Sequence, residues 1–81
     1  MTQAPSIGRI VHYCSRGSAD GVFAPEARAA IITQVHLGTA DDDGVDQVNL
    51  VVLNPTGLYF NEYVAYSPDP LPGCWSWPPR V

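Results

Sequence analysis

Gln47-Val48-Asn49-Leu50-Val51-Val52-Leu53-Asn54-Pro55-Thr56-Gly57-Leu58-Tyr59-Phe60-Asn61-Glu62-Tyr63-Val64-Ala65-Tyr66 is the stretch that decides the fold class. Its first half sets Val48, Leu50 and Val52 against Asn49, Val51 and Leu53, the period of two that a strand requires. Asn54-Pro55-Thr56-Gly57 follows as a turn, in which proline presets one φ and glycine is expected to supply a positive one. Alternation then resumes, with Leu58, Phe60, Glu62 and Val64 opposite Tyr59, Asn61, Tyr63 and Ala65. Residues 47–66 are therefore predicted to form a β-hairpin.

On the N-terminal side, Ile7 to Tyr13 alternates Arg9, Val11 and Tyr13 against Ile10 and His12, which predicts a first strand. The stretch 14–26 holds Gly17, Gly21 and Pro25 and has Val22 and Phe23 as its large apolar pair, so it reads as a long loop that Phe23 tucks onto the core. Ala27 to Leu37 mixes helix-favouring alanines with strand-favouring Ile31, Ile32, Thr33 and Val35. It is taken as a strand whose core face is Ile31, Thr33, Val35 and Leu37. Asp41-Asp42-Asp43-Gly44 marks an exposed polar turn over 38–46. On the C-terminal side, the proline-rich tail 67–81 cannot sustain a long ladder, and it ends in Trp75 and Trp77, which point the same way if extended. One domain, residues 1–81, is expected: an all-β small antiparallel SH3-like barrel or strongly curved sheet, with an open meander as the alternative arrangement.

Composition excludes several chemistries. The chain has 81 residues, a net charge of −4 and only 15% charged residues, against roughly 25% in ordinary soluble domains. Low surface charge on so small a domain points to a surface partly covered by copies of itself or by other proteins. All basic residues are arginines (Arg9, Arg16, Arg28 and Arg80), so neither a P-loop lysine nor a Schiff-base lysine is available. An acidic chain without a basic stripe is not expected to bind nucleic acid in general. No apolar run approaches the ~18 residues of a membrane span, and Met1 to Ser6 lacks the basic start and apolar core of a leader. The expected location is the cytoplasm, where Cys14 and Cys74 would be thiols.

Motifs that resemble functional sites fail on spacing. Placing Gly44 at the sixth position of a calcium loop puts Thr39 first and Leu50 twelfth, where a bidentate glutamate is needed. His12, Cys14, His36 and Cys74 have the right chemistry for zinc but lack a Cys-x-x-Cys knuckle, so no metal site is assigned. Cys14 or Ser18 could meet His12 or His36, yet no nucleophile elbow or cysteine-protease signature accompanies them. The chain is read as non-enzymatic and without a cofactor. The residues singled out as a ligand or partner surface are Tyr59 and Tyr63 on the hairpin, Trp75 and Trp77 in the tail, and Arg9 and Arg28. The two arginines either pair with Glu62 or Asp20 or meet an anionic ligand.

Gly8-Arg9-Ile10-Val11-His12-Tyr13, Arg28-Ala29-Ala30-Ile31-Ile32, Val52-Leu53-Asn54-Pro55-Thr56-Gly57 and the ending Pro72-Gly73-Cys74-Trp75-Ser76-Trp77-Pro78 resemble a group of small tailed-phage and prophage proteins that carries no assigned activity. The resemblance covers nearly the whole chain. Relatives typically read Pro-Gly-Thr-Trp-His-Trp-Pro at the end, whereas this chain has Cys74 and Ser76, so any role of a tail histidine does not carry over. What the resemblance implies is a phage protein in the host cytoplasm or the virion. One form is a virion structural or decoration component that associates with itself and other phage proteins. The other is an oligomeric anti-defence sponge that holds a small anionic nucleotide through arginines and a stacked aromatic ring.

Overall fold

Alternation in the sequence becomes five strands: β1 (Ile10–Cys14), β2 (Ala27–His36), β3 (Gln47–Asn54), β4 (Gly57–Val64) and β5 (Trp75–Ser76). The computed structural model describes residues 4–16, 26–40, 44–69 and 71–79. The strands form one sheet in the order β4-β3-β2-β1-β5, with every ladder antiparallel. The fold is thus all-β, and none of the described residues forms a helix long and apolar enough to cross a membrane. The expected hairpin is present, with Asn54 paired to Gly57 around Pro55 and Thr56.

One face of this sheet curls around the core. It collects Val11 and Tyr13 from β1, Ala30 and Ile32 from β2, Val48, Leu50 and Val52 from β3, Val64 from β4 and Trp75 from β5. Trp75 is fully buried and takes Tyr66 and Trp77 edge-on, at centroid distances of 4.9 and 5.1 Å. Its backbone joins the two ends of the curl. Trp75 opposes Tyr13 of β1, while on its other side its N–H donates to Ala65 C=O and its C=O accepts from Ser67 N–H, both at 2.9 Å. A single parallel bridge, Tyr66 to Trp75, therefore links β5 to the run that follows β4, and the sheet is strongly curved rather than closed by a full ladder.

The chain reaches β5 through Leu71-Pro72-Gly73-Cys74, where Cys74 N–H donates to Leu71 C=O at 3.0 Å. Proline at the second position and Gly73 at φ 83° give the turn the signature of type II. The bulge that follows lets Gly73 N–H donate to Cys14 C=O at 2.8 Å while Cys14 N–H donates to Cys74 C=O at 3.0 Å.

Two further bulges sit side by side. Between Ile32 and Gln34, β2 carries an extra residue, Thr33, and opposite Asn49, β4 carries both Glu62 and Tyr63. Each bulge bends the sheet and reverses the phase of alternation beyond it. That reversal accounts for the main departures from sequence expectation. The core face of β2 is Ala30, Ile32 and, past the bulge, Val35, not Ile31, Thr33 and Leu37; Leu37 is exposed. Val64 shares the core face with Asn61 and Tyr59, so Phe60 lies outside, at 70% exposure.

Smaller corrections follow from turn chemistry. Ile7 and Gly8 form a turn, and the first strand begins only at Ile10, although Gly8 N–H still reaches Ile32 C=O at 2.8 Å. Gly57 does not take a positive φ. It is the last position of the turn, where glycine is favoured in type I without that requirement. Val45, in the stretch expected to be a polar turn, is buried in the core. Its neighbour Asp46 holds the loop by accepting from Gly38 N–H and Ala40 N–H at 3.2 and 3.1 Å. Phe23 and Asp41 to Asp43 lie outside the described residues.

Because Trp75 both fills the core and joins the ends of the curl, Trp75→Ala is expected to cost about 3–5 kcal/mol. Domains of this size have only about 4–12 kcal/mol in total. Urea unfolding followed by circular dichroism should show the midpoint collapsing; a loss under about 1 kcal/mol would mean the indole is not the keystone.

Candidate functional site

The outer face of the same sheet is apolar as well. Following the register across four strands, Ile10, Ile31, Val51 and Phe60 line up in one row, and His12, Ala29, Leu53 and Leu58 in the next. Ile10 is 62% exposed, Leu58 63% and Leu53 39%. An antiparallel sheet with one solvated face normally places polar residues there. Here the two rows hold no carboxylate, lysine or arginine, and apart from His12 their side chains form an apolar strip. Large apolar surface patches are characteristic of contact surfaces.

A polar cluster borders the strip at the bulges. Asn49 Oδ1 accepts from Tyr63 N–H at 3.0 Å and lies 2.7 Å from His36 Nε2, while Asn49 Nδ2 donates to Gln34 Oε1 at 3.2 Å. The backbone N–H can only donate, which fixes the amide with its oxygen toward Tyr63. His36 Nε2 must then carry a proton, so a neutral His36 is the Nε2–H tautomer. The imidazole also stacks on the Tyr63 ring, with centroids 3.9 Å apart and planes within 10°. These contacts hold Tyr63 at φ 53°, a left-handed conformation that costs a side-chain-bearing residue roughly 1–2 kcal/mol.

At the opposite end of the strands lies an open cavity of about 410 Å³ lined by His12, Cys14, Ala27, Pro68, Ser76 and Trp77, with Pro79 at its rim. His12 and Cys14 are two residues apart on one strand face. His36 is held in the polar cluster instead, so the His12, Cys14, His36 and Cys74 set is not gathered at one point. Among the described residues no group of three or more His, Cys, Asp or Glu side chains is placed to hold a metal ion.

The residues singled out from the sequence are dispersed. Arg9 lies over the Trp77 ring, with Cζ 5.1 Å from the centroid. Arg28 pairs with Glu26 at 3.2 Å, rather than with Glu62, because the two residues alternate onto one side of the chain as it enters β2, and Asp20 lies outside the described residues. Trp75 belongs to the core; the indole N–H groups of Trp75 and Trp77 are buried without a partner among the described residues. Tyr59 opposes Val52 on the core side of β4, while Tyr63 stands beyond the bulge against His36. The structure thus brings Arg9, Trp75 and Trp77 together and leaves Arg28, Tyr59 and Tyr63 apart. Sequence reasoning missed the strip itself. Its signal was present: β2 and β3 are apolar on both alternations, which a sheet with one wet face does not need.

No protein-family model, curated protein or solved structure matches the chain.

The Asn49 cluster gives two expected outcomes. Asn49→Leu removes the acceptor shared by Tyr63 and His36 and should cost about 1–2 kcal/mol in urea unfolding, whereas Asn49→Asp, which keeps an acceptor, should cost less. Long-range ¹H–¹⁵N correlation spectra above the histidine titration should show His36 as Nε2–H; the Nδ1–H form would refute the assigned amide orientation.

Proposed function

We propose that this chain is a non-enzymatic interaction protein that acts by self-association, the outer strip of one copy closing on the same strip of a second. In the tailed-phage setting that its motifs resemble, the assembled form is a virion structural or decoration component made in the host cytoplasm. The observation that carries this reading is the row Ile10, Ile31, Val51 and Phe60, exposed at Ile10 and Phe60 and half-buried between them. Removing apolar surface from water is worth roughly 25 cal/mol per Å², and a stable contact needs about 800 Å² from each partner. A charge-free face suits a second copy in particular. In a two-fold contact every residue meets the same surface, so a charged row would oppose its own sign, and an apolar row has no such penalty.

An oligomeric sponge for a small anionic nucleotide is supported less well. It needs Arg9, Arg16 or Arg28 and an aromatic ring open to a ligand, whereas Arg9 covers Trp77 and Arg28 engages Glu26, which leaves the exposed Arg16 beside Gly73.

Analytical ultracentrifugation should find the wild-type protein as a dimer or larger assembly at micromolar concentration. Ile10→Glu with Phe60→Glu should weaken association by roughly 30-fold or more, the scale of a central contact residue worth about 2 kcal/mol. Both side chains are exposed in the single chain, so the circular dichroism of the variant should be unchanged. A wild-type monomer at hundreds of micromolar would defeat the reading. Peptide mass fingerprinting of virions of the encoding phage tests the setting: many copies per particle are expected, and their absence rejects the virion role.

A further inference from the structure

The tail-side cavity and the register of β5 together point to chemistry that the apolar strip does not use. β1 and β5 pair His12 with Ser76 and Tyr13 with Trp75. Beyond Tyr13 the Gly73 bulge sets both Gly73 and Cys74 against Cys14, and Cys14 N–H donates to Cys74 C=O at 3.0 Å. Opposed residues of an antiparallel pair project from the same face. Strands joined by such a bond run about 4.7–4.9 Å apart, a spacing inside the ~4.4–6.8 Å window of Cα separations that a disulfide spans. The type II turn and the Gly73 bulge set this opposition. The turn returns the chain against β1, and Gly73 N–H anchors it to Cys14 C=O at 2.8 Å.

Access comes from the cavity. Cys14 is buried from bulk solvent but lines the space of about 410 Å³, and His12, a base on the same strand face, lines it too. Both cysteines are thiols in the structure. We propose that Cys14 and Cys74 form a paired redox site, which a small-molecule disulfide such as oxidised glutathione converts into a cross-strand disulfide through the cavity beside Cys14. The Cys14 sulfur gives up its proton and attacks one sulfur of the small disulfide, forming a mixed disulfide and expelling one glutathione thiolate that takes up the proton. Cys74 then attacks the Cys14 sulfur of that adduct, and the second glutathione leaves with the Cys74 proton. Two protein thiols are oxidised to one disulfide and one glutathione disulfide is reduced to two thiols. The bond would fasten the short strand β5, and with it Trp75, to β1.

This inference does not rest on self-association, and its test reads a covalent change within one chain. The folded protein is incubated with oxidised glutathione, quenched with N-ethylmaleimide and weighed intact. The expected product has lost two hydrogens, takes no maleimide and yields a Cys14–Cys74 peptide on non-reducing digestion. Its thermal midpoint should rise by about 10 °C or more and return on reduction. Cys74→Ser should stop at a single glutathione adduct on Cys14 while keeping the wild-type circular dichroism. Persistent glutathione adducts on the wild-type protein, disulfides between chains, or thiols that stay unreacted while the chain is folded would each overturn the proposal.

Discussion

The seating of Trp75 is the constraint on which the rest of this structure depends. A domain of this size can bury only roughly 60% of its unfolded surface, so each large core side chain carries a disproportionate share. Trp75 spends its indole on the centre of the core and its backbone on both edges of the curl, bonding to Ala65 and Ser67 on one side and opposing Tyr13 on the other. β5 is only two residues long. It is held less by its own ladder than by the side chain it delivers, with Tyr66 and Trp77 packed edge-on against the ring.

Curling around one tryptophan has a geometric consequence for the sheet. The concave side becomes a narrow core that accepts small residues such as Ala30 beside large ones, and the convex side is spread open. The bulges at Thr33 and at Glu62–Tyr63 concentrate the bend beside Asn49, whose side chain binds the protruding Tyr63 backbone and His36 at once. Beyond that line the alternation changes phase, which carries Val35 and Val64 inward. The apolar strip from Ile10 to Phe60 lies on the convex side, before the bulges, with Ile10 and Phe60 exposed at its two ends and Ile31 and Val51 half-buried between them. The fold thereby separates a buried apolar face from a second apolar face on the outside of the sheet. The paired cysteines lie at the far end of the same strands, next to the strand that fastens the curl.

The hairpin 47–66, the all-β class and a short final strand were legible in the sequence, because period-two alternation and turn residues are local properties. Val48, Leu50 and Val52, one side of the alternation read in 47–53, are the core side. The candidate contact residues were legible only as types. Aromatic rings and arginines were visible, but their positions depend on packing: Trp75 became core, Arg9 became a lid on Trp77, and Tyr59 and Tyr63 parted at the bulge.

The sequence by itself determined that this chain is a sheet protein with little charge, no lysine and a turn at Asn54–Gly57, since composition and short-range spacing need no partner to be read. Only the tertiary structure decided which alternation of Ala27–His36 faces inward. Ala30 with Ile32 and Ala29 with Ile31 are equally apolar pairs, and the choice was made by the neighbours, Val11 and Tyr13 on one side and Leu50 and Val52 on the other. The same holds for the opposition of Cys14 and Cys74, which lie far apart along the chain. Pairing over such a separation depends on the turn at Leu71–Cys74 and the burial of Trp75 acting together, and no local pattern encodes that sum.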